Sequence, residues 1–129
     1  MAGDEIKGAT GSVRIWLRLE GLAVLVAALV AFAQTGASWW LAAALALAPD
    51  ISFAAYLAGP RWGALGYNLA HSYLLAIAVA LIAWFGGAGA VHAGALIWVA
   101  HIGADRLLGY GLKYTTGFSD THLGRIGKS

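Results

Sequence analysis

Four long apolar runs, parted by short polar breaks, constrain this chain more than any other feature of its sequence. They cover residues 15–33, 39–57, 62–85 and 91–112. Each reaches roughly the 20 residues a helix needs to cross a bilayer core. The breaks consist of helix-stopping residues: Gln34-Thr35-Gly36, then Gly59-Pro60, then Gly86-Gly87-Ala88-Gly89. At 60% hydrophobic and 11% charged residues, a water-soluble domain of this size could not cover its apolar side chains. The expected fold is an all-α membrane protein, a four-transmembrane-helix bundle forming one domain over residues 1–129. The first run has Arg14 and Arg18 at its start and no small-residue cleavage site, so it reads as a retained helix and not a signal peptide.

Lys and Arg give the orientation. Lys7, Arg14 and Arg18 lie in the N-terminal segment, Arg61 in the middle break, and Arg106, Lys113, Arg125 and Lys128 at the end of the fourth run and in the tail. The other two breaks carry none. The positive-inside rule then places both termini and the middle break in the cytoplasm. Trp39, Trp40 and Trp84 fall at the outer interface and Trp16 and Trp62 at the inner one, an aromatic belt. The net charge of +2 is spread along the chain, which argues against nucleic-acid binding. Membrane lipids and a second copy of the chain are the expected partners. Cysteine is absent, which excludes disulfides, thiolate metal sites, iron–sulfur clusters and cysteine nucleophiles.

Polar residues inside the apolar runs carry the chemistry, because ionisable groups at bilayer depth are costly and mark function or mutual pairing. They are Glu20, Asp50, the trio Asn68, His71 and Ser72, and the trio His101, Asp105 and Arg106. At 1.5 Å per residue all lie roughly 8–15 Å from the cytoplasmic surface. Groups from four helices at one depth can converge on a bundle axis, where bundles build metal and cofactor sites. His101 and Asp105 stand four apart on one helix face, and Asn68 and His71 three apart. His71, His101 and Asp105 are candidate ligands for a divalent metal ion, Zn, Mn or Fe, with Asp50 as ligand or base and Glu20 as a further carboxylate. Arg106 is the candidate for holding an anionic substrate. The bland alternative is that these groups only neutralise one another. A proton-coupled transporter or relay and a bis-histidine haem protein use the same residues. Pro49 should kink the second helix and free carbonyls beside Asp50. His92 reads as an interfacial residue. The Gly59–Gly63 pair straddles Pro60, so its GxxxG spacing carries little weight as a dimer motif.

The tail, residues 113–129, is too short for a fifth span and dense in aromatics and glycine. It is expected to be ordered and to fold over the cytoplasmic mouth, with Gly109, Gly111 and Gly117 at turns. Tyr110, Tyr114 and Phe118 would lie at the interface. His122 would point inward as a further metal ligand or a partner orienting one, with Asp120 beside it.

Five segments carry a family resemblance: Arg18-Leu19-Glu20-Gly21, Ala48-Pro49-Asp50, Tyr67-Asn68-Leu69-Ala70-His71-Ser72-Tyr73, His101 to Arg106 running into Gly109-Tyr110-Gly111-Leu112-Lys113-Tyr114, and Phe118 to Gly124. Through them the chain resembles the domain-of-unknown-function 4260 family of small bacterial integral membrane proteins. The resemblance implies a multi-pass protein of the bacterial inner membrane and singles out the same polar residues, but it implies no reaction. The pattern of polar helices also looks somewhat like membrane-bound metal-dependent hydrolases, by analogy alone. The expected function is a metal-dependent membrane hydrolase acting on a lipid-derived or small anionic substrate, with Asp50, Glu20 and Arg106 as catalytic groups.

Overall fold

The structure is a computed structural model describing residues 8–126, so Lys7 and Lys128 of the charge pattern lie outside the described residues. It contains α1 (Gly11–Gln34), α2 (Trp39–Leu45), a 3₁₀ helix (Ala48–Ala58), α3 (Pro60–His71), α4 (Tyr73–Phe85), α5 (Gly89–Leu108), β1 (Asp120–Thr121) and β2 (Gly124–Arg125). Two helical stretches, Gly11–Gln34 and Trp39–Ala58, are long and apolar enough to cross a membrane. A third is available if α3 and α4, bent by 40° at their junction, count as one span. Large apolar side chains face outward, with Leu57 93% and Phe85 84% exposed, a surface suited to lipid.

Helix α5 is the centre of the packing. It meets α1 where Gly21 faces Gly103. A Cβ on Gly103 would lie 2.8 Å from the Gly21 carbonyl oxygen, so the two backbones approach as only glycine permits. Ala28, Ala76, Val99, Ala100 and Ile102 then form a core shared by α1, α4 and α5. Phe32 packs with Ala93, Leu96 and Ile97 further along.

The second run is not one kinked α-helix. Pro49 has no N–H, and the Asp50 N–H bonds the Leu47 carbonyl at 3.0 Å. The winding changes to 3₁₀, with three residues per turn. Asp50, Phe53 and Tyr56 therefore share one row. Small residues of α3 let this segment in: the Tyr56 ring lies against Gly63, and the Ala55 methyl group against Gly66. Gly63 thus serves a contact within the chain.

The third run, expected as one helix, breaks at Ser72, whose backbone is extended and whose hydroxyl accepts the Leu74 N–H at 3.2 Å. The break leaves carbonyls at the end of α3 without helical partners. Trp98 Nε1–H donates to the Ala70 oxygen at 2.5 Å, and the Arg106 guanidinium to the His71 oxygen at 2.7 Å. Helix α5 stops at Leu108, four residues before the expected end, because Gly109 takes a left-handed φ of 92°.

The tail then folds back on the bundle. Asn68 clamps it with two bonds, donating to the Lys113 carbonyl at 2.8 Å and accepting the Lys113 N–H at 2.6 Å. Lys113 also bridges to Thr121, next to the β1–β2 hairpin. Leu123 is fully buried. Arg14 donates to the Leu123 carbonyl at 2.5 Å, and Ala9 N–H to the His122 carbonyl at 2.6 Å. Residues ahead of the first apolar run are thus tied to the tail, and α1 starts at Gly11, earlier than the expected residue 15.

Candidate metal centre

Asp50 from the 3₁₀ helix, His71 from the last turn of α3, and His101 and Asp105 from α5 meet at one point, each offering one ligand atom within 4.8 Å of the others. Local structure aims each side chain. In an α-helix the Ala46 carbonyl would accept from residue 50, but the Asp50 N–H has gone to Leu47 and Pro49 has none to give. The freed Ala46 oxygen accepts the Nδ1–H of His101 at 2.6 Å. His71 Nδ1–H donates to the Tyr67 carbonyl, one turn back, at 3.0 Å. The Tyr67 ring stacks on the His71 ring at 3.8 Å, with 6° between their planes.

A carbonyl oxygen only accepts, so both rings carry their hydrogen on Nδ1 when neutral, and both Nε2 atoms present a lone pair. These nitrogens lie 3.2 Å apart. Each is 3.1 Å from Asp50 Oδ1 and 3.4 Å from Asp105 Oδ2. Ligand atoms around a tetrahedral ion with bonds of about 2.0–2.1 Å stand about 3.3 Å from one another. His71 is fully buried, His101 nearly so, and Asp50 is the most open at 34% side-chain exposure. The spacing does not suit the haem alternative. Imidazoles on opposite sides of one iron would hold their nitrogens about 4 Å apart with a macrocycle between them, whereas here the nitrogens are 3.2 Å apart and two carboxylates flank them.

A family model described as a domain of unknown function (DUF4260) matches residues 14–126. The chain belongs to that family. The match spans the four candidate ligands and the clamped tail, as the resembling segments implied. No curated protein and no solved structure matches the chain.

Other predicted residues of this DUF4260 chain lie elsewhere. Glu20 is exposed and lines a separate cavity of about 210 Å³ with Ser72, Tyr73, Arg106 and His122. Arg106 is buried, and its donors reach the carbonyls of His71 and Tyr110, at 2.7 and 3.1 Å. His122 Nδ1 accepts the Leu112 N–H at 2.8 Å, which puts its hydrogen on Nε2 and its ring outside the four-residue group. Gly111 is needed for that ring to approach, since a Cβ there would lie 2.5 Å from His122 Nδ1. Asp120 Oδ2 accepts the Thr116 hydroxyl at 2.7 Å within the tail. Asn68 holds the tail, as described above. His92 Nδ1–H donates to the Ala80 carbonyl at 2.8 Å, so it is a link between α4 and α5 and not only a solvated group.

Beside the four-residue group lies a cavity of about 300 Å³, lined by Asp50 and Asp105, by the rings of Phe53, Tyr67 and Phe118, and by Lys113. Phe53 and Tyr67 were not among the sequence candidates. Tyr67 carried a signal, since it stands one helical turn before His71. Burial lowers the Lys113 ammonium pKa to about 8. Burial, and then the charge of Arg106, push His122 below its ordinary value.

Proposed function

We propose that Asp50, His71, His101 and Asp105 hold one divalent metal ion in a four-span bundle of the bacterial inner membrane, and that the chain is a metal-dependent hydrolase. In this reading α5 is the fourth span, both termini are cytoplasmic, and a second copy of the chain is a possible partner. One observation carries the metal: each imidazole Nε2 lies 3.1–3.4 Å from the other and from one oxygen each of Asp50 and Asp105, and main-chain carbonyls turn both rings so that neither Nε2 brings a hydrogen when neutral. Such a set is repulsive until a metal ion or a proton sits within it. Imidazole and carboxylate ligands suit Zn, Mn or Fe. A divalent ion that gave up Asp50, the most open of the four, would keep a position for an activated water and could polarise the oxygen of a scissile bond.

The chain's own residues supply the rest. Tyr67 and Ala46 hold the two imidazoles in the ligating tautomer. Asp50, the most open carboxylate and a wall of the 300 Å³ cavity, is placed to take a proton from water. The aromatic rings around it limit the water that reaches a substrate. Elemental analysis of detergent-purified protein tests the reading. Wild type should contain stoichiometric divalent metal, and His101→Ala should lose it while keeping its helical circular dichroism. A metal-free wild type indifferent to chelators would overturn it and leave the group as a proton relay.

A further inference from the structure

Resting on that reading, we infer that the cavity beside the metal group binds the anionic oxygen of a singly charged substrate, and that Lys113 is the residue that recognises it. Lys113 is only 5% exposed. Its ammonium lies 3.8 Å from the centre of the Phe118 ring and 4.7 Å from that of Tyr67. Among the described residues no carboxylate oxygen lies within ion-pair distance, 4.0 Å, of it. Aromatic faces attract a cation but leave its N–H groups without acceptors. A buried lysine without a carboxylate partner is costly, and the fold nonetheless fixes it there. Asn68 grips both sides of its peptide, and the bridge to Thr121 holds the following strand.

The cavity also says what size and charge of group belongs there. Its volume is at the lower end of ligand pockets, enough for a headgroup or a short chain and too small for a macromolecule. Two carboxylates and one divalent ion cancel, with both histidines neutral. Arg106 is engaged by carbonyls and shares its own cavity with Glu20. Lys113 is then the uncompensated charge, and one positive charge matches a monoanion, a carboxylate or a phosphodiester. Held between Lys113 and the metal group, such a ligand presents its neighbouring bond beside Asp50. The recognition role expected for Arg106 falls instead to Lys113, a compact point charge on a flexible stem.

Binding of octanoate, dibutyl phosphate and the uncharged control octanamide to detergent-purified full-length protein tests this, with metal content measured on the same samples. Wild type should bind at least one of the two anions, and bind it more tightly than octanamide. Lys113→Met should weaken that anion about 10-fold or more, Lys113→Arg should restore part of the loss, and metal content should not change. The clamp to Asn68 runs through the Lys113 backbone and survives these changes. Lys113→Gln, of similar reach and polar, replaces the Met variant if the latter unfolds. Equal anion binding by wild type and the neutral variants, or no preference over octanamide, overturns the inference while a retained metal leaves the proposed function standing. A metal-free wild type that still binds anions through Lys113 separates the two in the other direction. The ranking of the anions, with dioctanoyl phosphatidylglycerol as a lipid form of the diester, identifies the source: tighter binding of the lipid form marks a membrane substrate.

Discussion

Two polar cavities of this molecule look alike in composition and differ in how the backbone uses them. The larger is bordered by Asp50 and Asp105 of the four-residue group; the smaller by Glu20, Arg106 and His122. In the first, His71 and His101 give Nδ1–H to carbonyl oxygens and keep a lone pair on Nε2. In the second, His122 takes the Leu112 N–H on Nδ1, so its remaining nitrogen carries the hydrogen. Arg106 likewise gives its hydrogens to two carbonyls. A histidine that donates to the main chain is left able to ligate, and one that accepts from it is not. In these two cavities the direction of the main-chain bond, more than the residue type, decides which histidine faces the cavity with a free lone pair.

The sharpest way to break this comparison is to remove one histidine from each side. His71→Ala should lower metal affinity by more than the roughly 10–100-fold typical of losing a partner behind a ligand, whereas His122→Ala should leave metal content as in wild type. Competition with a chelator of known affinity measures both. A loss of metal in the His122 variant would mean that the cavities are not distinct.

Next in size is the joint itself. Arg106→Met leaves the His71 carbonyl at the break between α3 and α4 without its charged donor. It should cost about 2–3 kcal/mol of stability. Glu20→Gln, on an exposed side chain of the same cavity, should stay within about 0.5 kcal/mol. Thermal unfolding in detergent reads both.

A third contrast is pH dependence, and it has the same sign in the two cavities. Lys113 has a folded pKa of about 8, below its ordinary 10.5. Between those values the unfolded chain binds more protons, so stability should rise with pH from about 8 to about 10.5, and Lys113→Met should flatten that rise. His122 is also lowered. Its contribution is present above its ordinary pKa of 6.5 and is lost as the pH falls below that value, because protonation takes away the acceptor for Leu112. His122→Gln, which keeps an acceptor that does not titrate, should flatten the acid limb. Melting temperatures across the pH range measure both slopes.

How much of this was legible in the sequence follows from what each signal encodes. The spacing of His101 and Asp105 fixed their shared face, and equal depth brought His71 and Asp50 to the same layer. Depth is one coordinate only. Glu20 has the right depth but lies on α1, and nothing in its spacing tells which way around the bundle it points. The break at Ser72 has no Pro or Gly to announce it. It is held open by Trp98 and Arg106, 28 and 35 residues from the carbonyls they serve. The serine hydroxyl before an apolar run was the one local cue, an N-cap signature. The stop at Gly109 was half legible: glycine was expected at a turn there, yet the helix was carried past it. In the sequence Lys113 is one of several basic residues that give the orientation, because burial of a lysine among aromatics depends on a fold-back that sequence periodicity does not describe.

The 3₁₀ winding of Ala48–Ala58 has a mechanical consequence. At about 2.0 Å per residue these eleven residues reach roughly 22 Å, where an α-helix would reach roughly 16 Å. Rewinding to 3.6 residues per turn would swing Phe53 by roughly 60° and Tyr56 by roughly 120° away from the Asp50 azimuth. Asp50 belongs to the four-residue group, and Phe53 to the wall of the neighbouring cavity. Tyr56 lies 5.5 Å from the Phe118 ring that closes over the same wall. Carboxylate and wall are therefore teeth on one screw: any change of its pitch moves them together, and neither can be retimed alone.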